Sequence, residues 1–143
     1  MRRSLFILIV LAGCATQPGP EDKPAEPPPV VPASPPHKES VAVAGVMDTA
    51  RSEAAAGNLA NAAASLERAI RIEPRNPRLW HELARVRLKQ GQYAQAESVA
   101  ARSNSWAGDD RSLRAENWRL IAESRRARGD DEGARAATDS SNR

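Results

Sequence analysis

Residues 76–96 read NPRLWHELARVRLKQGQYAQA, and this stretch decides the fold. Asn76 has a side chain that caps free helix amides, and Pro77 fits the first helical turn. Trp80, Leu83 and Leu88 then recur at helical spacing and give one apolar face. Gly91 suits the left-handed position that follows a helix. A second helical run opens at Tyr93. The stretch therefore encodes a helix, a tight turn and a second helix.

The same pattern recurs on both sides. Gly57, Gly91 and Gly129 each close a helical run, and each is followed five residues later by an alanine: Ala62, Ala96 and Ala134. The first two glycines are 34 residues apart and the second pair 38 apart. Shifted back by one period, Ala50, Gly57, Leu59, Ala62, Leu66, Ala69 and Pro74 repeat the pattern. Shifted forward, Trp118, Ile121, Ala122, Gly129 and Ala134 do so. Six helices are predicted, at about 42–56, 59–72, 78–90, 93–103, 112–128 and 131–139. Small residues at 50, 62, 84, 96, 122 and 134 let these helices approach closely. Aromatic residues are 3% of the chain, which suits alanine-rich helix packing and suits a β-sandwich poorly.

A 34-residue period of paired helices resembles the tetratricopeptide repeat. Trp80, Leu83, Ala84, Gly91, Tyr93 and Ala96 sit where that family places Trp, Leu, a small residue, Gly, Tyr and Ala. The resemblance covers about residues 43–140. It implies an all-α fold of about three helix-turn-helix repeats, a short right-handed solenoid over residues 41–143. It also implies a concave groove lined by the first helix of each repeat. Ala44, Met47 and Arg51 would enter it from repeat one, and Arg78, His81, Arg85 and Lys89 from repeat two. Repeat three would give Glu116, Arg119, Glu123 and Arg126. The expected partner-binding set is Met47, Arg51, Arg78, His81, Arg85, Lys89 and Arg119, a basic stripe for an acidic or C-terminal peptide with Met47 at an apolar end. The plainer reading of the stripe is a solvated charged face. Some family members clamp a terminal carboxylate with a fixed Lys, Asn and Arg set. Met47, Arg51, Glu82, Glu116 and Leu120 stand at those positions, so that clamp is absent.

The chain also departs from the family pattern. Glu53, Arg87 and Arg125 replace the aromatic usual at the eleventh repeat position. The repeat-end proline is missing after repeat two, where Trp106-Ala107-Gly108 stands, and Trp106 is expected to pack near the end of the second repeat, where Ile72 lies in the first. Trp80 and Trp118 are expected in the core. Gly133 lies inside a short last helix with no capping helix after it, and exposed terminal repeats normally need one. This predicts modest stability and a frayed C-terminus, an end that a partner or a second copy of the chain would cover.

The N-terminus carries an address. Arg2-Arg3 precede the apolar run from Leu5 to Leu11, too short to span a bilayer, which takes about 20 apolar residues. Basic start, short apolar run and small residues define a cleaved signal over residues 1–13. Leu11-Ala12-Gly13-Cys14 resembles a bacterial lipobox. That resemblance implies cleavage before Cys14, a diacylglycerol thioether on its thiol and acylation of its new amine. Several acyl chains make a stable anchor. Cys14 is the only cysteine, so no intramolecular disulfide is expected. Ala15 and Thr16 follow it. Gram-negative lipoproteins retained in the inner membrane carry Asp there, so the resemblance points to the outer membrane, facing the periplasm. Residues 18–36 then hold nine of the eleven prolines, and proline favours extended polyproline II over a packed core. Residues 14–40 are predicted to be a tether reaching on the order of 60–80 Å at ~3.1 Å per residue. A ligand for a proline-reading domain is the other use of such a composition.

Other function classes find little support. The net charge is +3, and loss of Arg2 and Arg3 with the signal leaves 19 basic residues against 18 acidic. A nucleic-acid binder needs a concentrated basic patch, usually with stacking aromatics, so no nucleic acid is expected. The two histidines, His37 and His81, stand in no metal-ligand spacing. No nucleophile elbow or phosphate-binding glycine loop is present. An enzyme is not expected, nor any cofactor beyond the lipid on Cys14. The expectation is a membrane-anchored interaction adaptor for a periplasmic protein. Larger tetratricopeptide lipoproteins serve secretion or pilus assembly, outer-membrane protein assembly, or presentation of hydrolases to peptidoglycan. The rival is a structural envelope protein that self-associates.

Overall fold

The computed structural model describes residues 40–143. The signal segment, Cys14 and the proline-rich segment lie outside the described residues. Six helices follow one another: α1 (Val41–Ala55), α2 (Leu59–Ile72), α3 (Pro77–Lys89), α4 (Tyr93–Trp106), α5 (Arg111–Ala127) and α6 (Asp131–Ser141). No strand occurs among the described residues.

Local chemistry sets the boundaries. The Ser40 hydroxyl accepts from the Val43 amide, Asn76 from Arg78, Asp110 from Leu113 and Asp130 from Gly133. Each bond satisfies an amide that the first helical turn leaves free. Gly91 has φ +73°, a conformation that costs other residues roughly 1–2 kcal/mol, and it reverses the chain between α3 and α4. Gly57 and Gly129 do the same at the matching turns. Gly133 has a different role. A Cβ there would lie 2.2 Å from the Asp130 carboxylate, so the missing side chain makes room for the α6 cap.

Two ends differ from expectation. α4 runs on to Trp106, three residues past the predicted end, because no proline stops it as Pro74 stops α2. α6 continues to Ser141 and buries that residue. There the Ser141 hydroxyl donates to the Thr138 carbonyl at 2.7 Å and closes the helix where fraying was expected.

Neighbouring helices pack in sequence, and α3 also packs on α1 and on α5. α2 does not pack on α4, nor α4 on α6. The odd-numbered helices therefore form one contiguous row, and the even-numbered helices stand apart behind it. Ala50, Ala62, Ala84, Ala96, Ala122 and Ala134 are all buried, as close packing requires. One part of the core joins α1, α2 and α3 around Leu66, Leu79, Leu83 and Val86. The other joins α3 to α6 around Ile121 and four buried alanines. Trp80 and Trp118 are only half-buried, each with one face against the core. The indole N–H of Trp80 donates to the Pro74 carbonyl at 2.8 Å, and the Arg102 guanidinium lies 5.7 Å from its ring centre.

Candidate functional site

The row α1, α3, α5 carries the predicted stripe, but it sorts the residues differently. Arg78, Arg85 and Lys89 are exposed along α3, at spacings that keep them on one face. Arg119 is exposed on α5. Met47 is 3% exposed and belongs to the core with Leu79 and Leu83. It is therefore a packing residue and not an apolar end of the groove. His81 is 8% exposed and turned toward α5, so it too is withdrawn from the face.

The reason lies in the register. Met47, His81 and Arg119 are the same repeat position. It faces the first helix of the next repeat. In repeats one and two that helix exists and covers the position; after repeat three no further helix follows among the described residues, and Arg119 stays in solvent.

His81 belongs to a buried polar cluster. Its Nδ1 lies 2.9 Å from Asn117 Oδ1, and its Nε2 lies 3.5 Å from a Glu116 carboxylate oxygen. The Asn117 amide nitrogen donates to Ser103 Oγ at 2.7 Å and to Asn104 Oδ1 at 2.9 Å. Ser103 donates in turn to the Pro77 carbonyl at 2.8 Å. Both amide protons of Asn117 are thus committed, which leaves its oxygen facing the His81 ring as an acceptor. The cluster fixes α3, α4 and α5 to one another.

Sequence reasoning gave no role to Glu82, the charge hub of the groove. Its carboxylate is 7% exposed as a residue, pairs with Arg51 at 2.7 Å and with Arg85 at 3.3 Å. Arg51 also reaches Asp48 at 3.1 Å. The hydrogen bond that Arg51 donates to the Glu82 carboxylate raises the Arg51 pKa above its ordinary value, against the opposing effect of burial. The Glu82–Arg85 spacing of three was readable; the reach of Arg51 across from α1 was not. Beside this cluster, between α1 and α3, lies a cavity of about 150 Å³. Its apolar floor includes Ala50, Leu66 and Val86, and Arg51, Arg85 and Lys89 surround it. Arg78, Lys89 and Arg119 have no carboxylate within ion-pair distance among the described residues. The groove thus offers a small apolar seat under a net positive rim.

Among the described residues no cluster of metal-ligating side chains occurs, and no helix is long and apolar enough to cross a membrane.

The comparisons with known proteins agree with this architecture. The family model described as "Tetratricopeptide repeat" matches residues 53–116. The solved globular C-terminal domain of P. aeruginosa LpoP is similar over 74% of this chain and 100% of that chain, with 43% sequence identity and a TM-score of 0.72. No curated protein matched. The chain belongs to the tetratricopeptide-repeat family, with the C-terminal domain of LpoP as a relative. Such repeats are protein-interaction modules and not enzymes.

Proposed function

We propose that the chain is a lipid-anchored adaptor of the bacterial envelope. Cys14 carries the diacylglycerol and acyl chain after cleavage behind Leu11-Ala12-Gly13. Residues 14–40 hold the repeat module off the outer membrane, and its groove docks an acidic segment of a periplasmic protein. The observation that carries the docking step is the small apolar cavity ringed by Arg51, Arg85 and Lys89, with Arg78 and Arg119 as further cations that have no carboxylate partner among the described residues. Glu82 holds Arg51 and Arg85 in place and leaves the rim positive. The anchor rests on the fit of the lipobox and on the single cysteine.

The test places a photo-crosslinking residue at position 89 in living cells. One dominant periplasmic partner is expected, lost when Arg78→Glu and Arg85→Glu are combined. Crosslinks only to the chain itself would overturn the adaptor reading in favour of self-association. Capture that survives both reversals would remove the basic groove from the mechanism. Cys14→Ala should abolish incorporation of labelled palmitate; retained label would remove the anchor.

A further inference from the structure

The face behind the basic groove carries a second concavity. Because α2 and α4 do not pack on each other, a gap remains between them, floored by α3. It forms an open cleft of about 530 Å³. Ile70, Leu83, Val99 and the Trp80 ring give it an apolar floor.

Its rim is cationic. Arg71 lines the cleft from α2. The Arg102 guanidinium lies over the Trp80 ring, 5.7 Å from its centre. Arg75, in the turn after α2, lies 5.3 Å from the ring centre of Trp106 at the end of α4, so this contact spans one end of the gap. None of the three has a carboxylate within ion-pair distance among the described residues. The carboxylates nearby are engaged elsewhere: Glu67 with Arg87, and Glu73 with Ser40 and Asn76. Arg87 is neutralised by Glu67 and tied to Gln90 and Gln92. A cation–π contact of this kind uses the positive charge of a guanidinium and none of its N–H donors, which remain available to a carboxylate.

We propose that this cleft binds an acidic peptide segment of a partner protein. One apolar side chain of the segment would sit against Trp80, and its carboxylates would pair with Arg71, Arg75 and Arg102. Charge complementarity selects an anionic occupant. The apolar floor lies below the rim, so it suits a side chain that enters the gap; a flat anionic membrane would meet the rim alone. The site shares no exposed cation with the α1–α3 groove, so it stands independently of the docking reading above. With both sites occupied, the module would hold two segments on opposite faces.

The test uses the full chain in detergent micelles. The probe is a synthetic peptide with one leucine flanked by glutamates, beside its lysine counterpart and phosphatidylglycerol vesicles. The glutamate peptide should shift the indole N–H resonances of Trp80 and Trp106 and leave that of Trp118 in place. Combining Arg71→Glu with Arg102→Glu should weaken binding by about tenfold. Gln95→Trp, which fills the cleft without changing charge, should weaken it as well, with the helical circular dichroism unchanged. The proposal is overturned by equal binding of the lysine peptide, or by shifts confined to the α1–α3 groove or absent. Binding of the vesicles but not the peptide also overturns it and makes the patch a membrane contact.

Discussion

Asn117 uses all three of its hydrogen-bonding groups on residues from other parts of the chain: His81, Ser103 and Asn104. It is fully buried, so each broken bond would strand a partner away from water. Asn117→Leu should therefore destabilise the fold by about 2–4 kcal/mol, measured by urea unfolding. A loss below about 0.5 kcal/mol would mean that the cluster does not hold α3, α4 and α5 together. Nothing in the sequence marked this residue, because its partners lie 36, 14 and 13 positions away. Met47 and His81 were misplaced for a related reason. The helical period shows which residues share a face, but not whether the next repeat covers that face. The exposure of Arg51, Arg78, Arg85 and Lys89 was legible because long cations on a continuous stripe are rarely buried.

At the scale of the helix, most of the architecture was legible. Caps and turn glycines act within a few residues of where they stand, so the starts of all six helices lie within one residue of the structure. The departures from the repeat pattern proved informative. Arg87 and Arg125, in place of an aromatic wedge, each pair with a glutamate on the preceding helix: Arg87 with Glu67, and Arg125 with Glu97 at 2.7 Å. Arg125 also donates to the Gly133 carbonyl at 3.2 Å, and Arg128 shares Glu97 at 2.9 Å. An ion pair thus does the bridging that ring packing does elsewhere in the family. Arg125→Ala should cost about 1–2 kcal/mol by thermal or urea unfolding, because Glu97 keeps only Arg128. Replacing both partners, with Glu97→Leu and Arg125→Phe, should return stability to within about 1 kcal/mol of the parent. A double variant as unstable as Arg125→Ala would show that geometry, and not charge satisfaction, fixes this joint.

For the molecule as a whole, α3 is the element shared by both parts of the core. Repeat arrays owe stability to the interfaces between neighbours, and the second half here is built largely on alanine. A chain ended at Gly108 would expose Ala84 and Ala100 and leave His81 and Ser103 without Asn117. Such a truncation should lose cooperative unfolding, followed by circular dichroism against temperature; a sharp transition near that of the full module would show that the first two repeats stand alone. A different consequence follows from Ser40. Its hydroxyl donates to Glu73 at 2.6 Å while capping α1, so the chain enters the fold pinned to the far end of α2. Tension arriving from the N-terminal side must pass through this latch and α1 before any other element. A partner gripped in the α1–α3 groove would close that load path at once, and α4 to α6 would carry none of it. Pulling α1 away would strip Arg51 from Glu82 and open the small cavity, so the grip would fail before the rest of the array unravelled, like a fuse set ahead of the other helices.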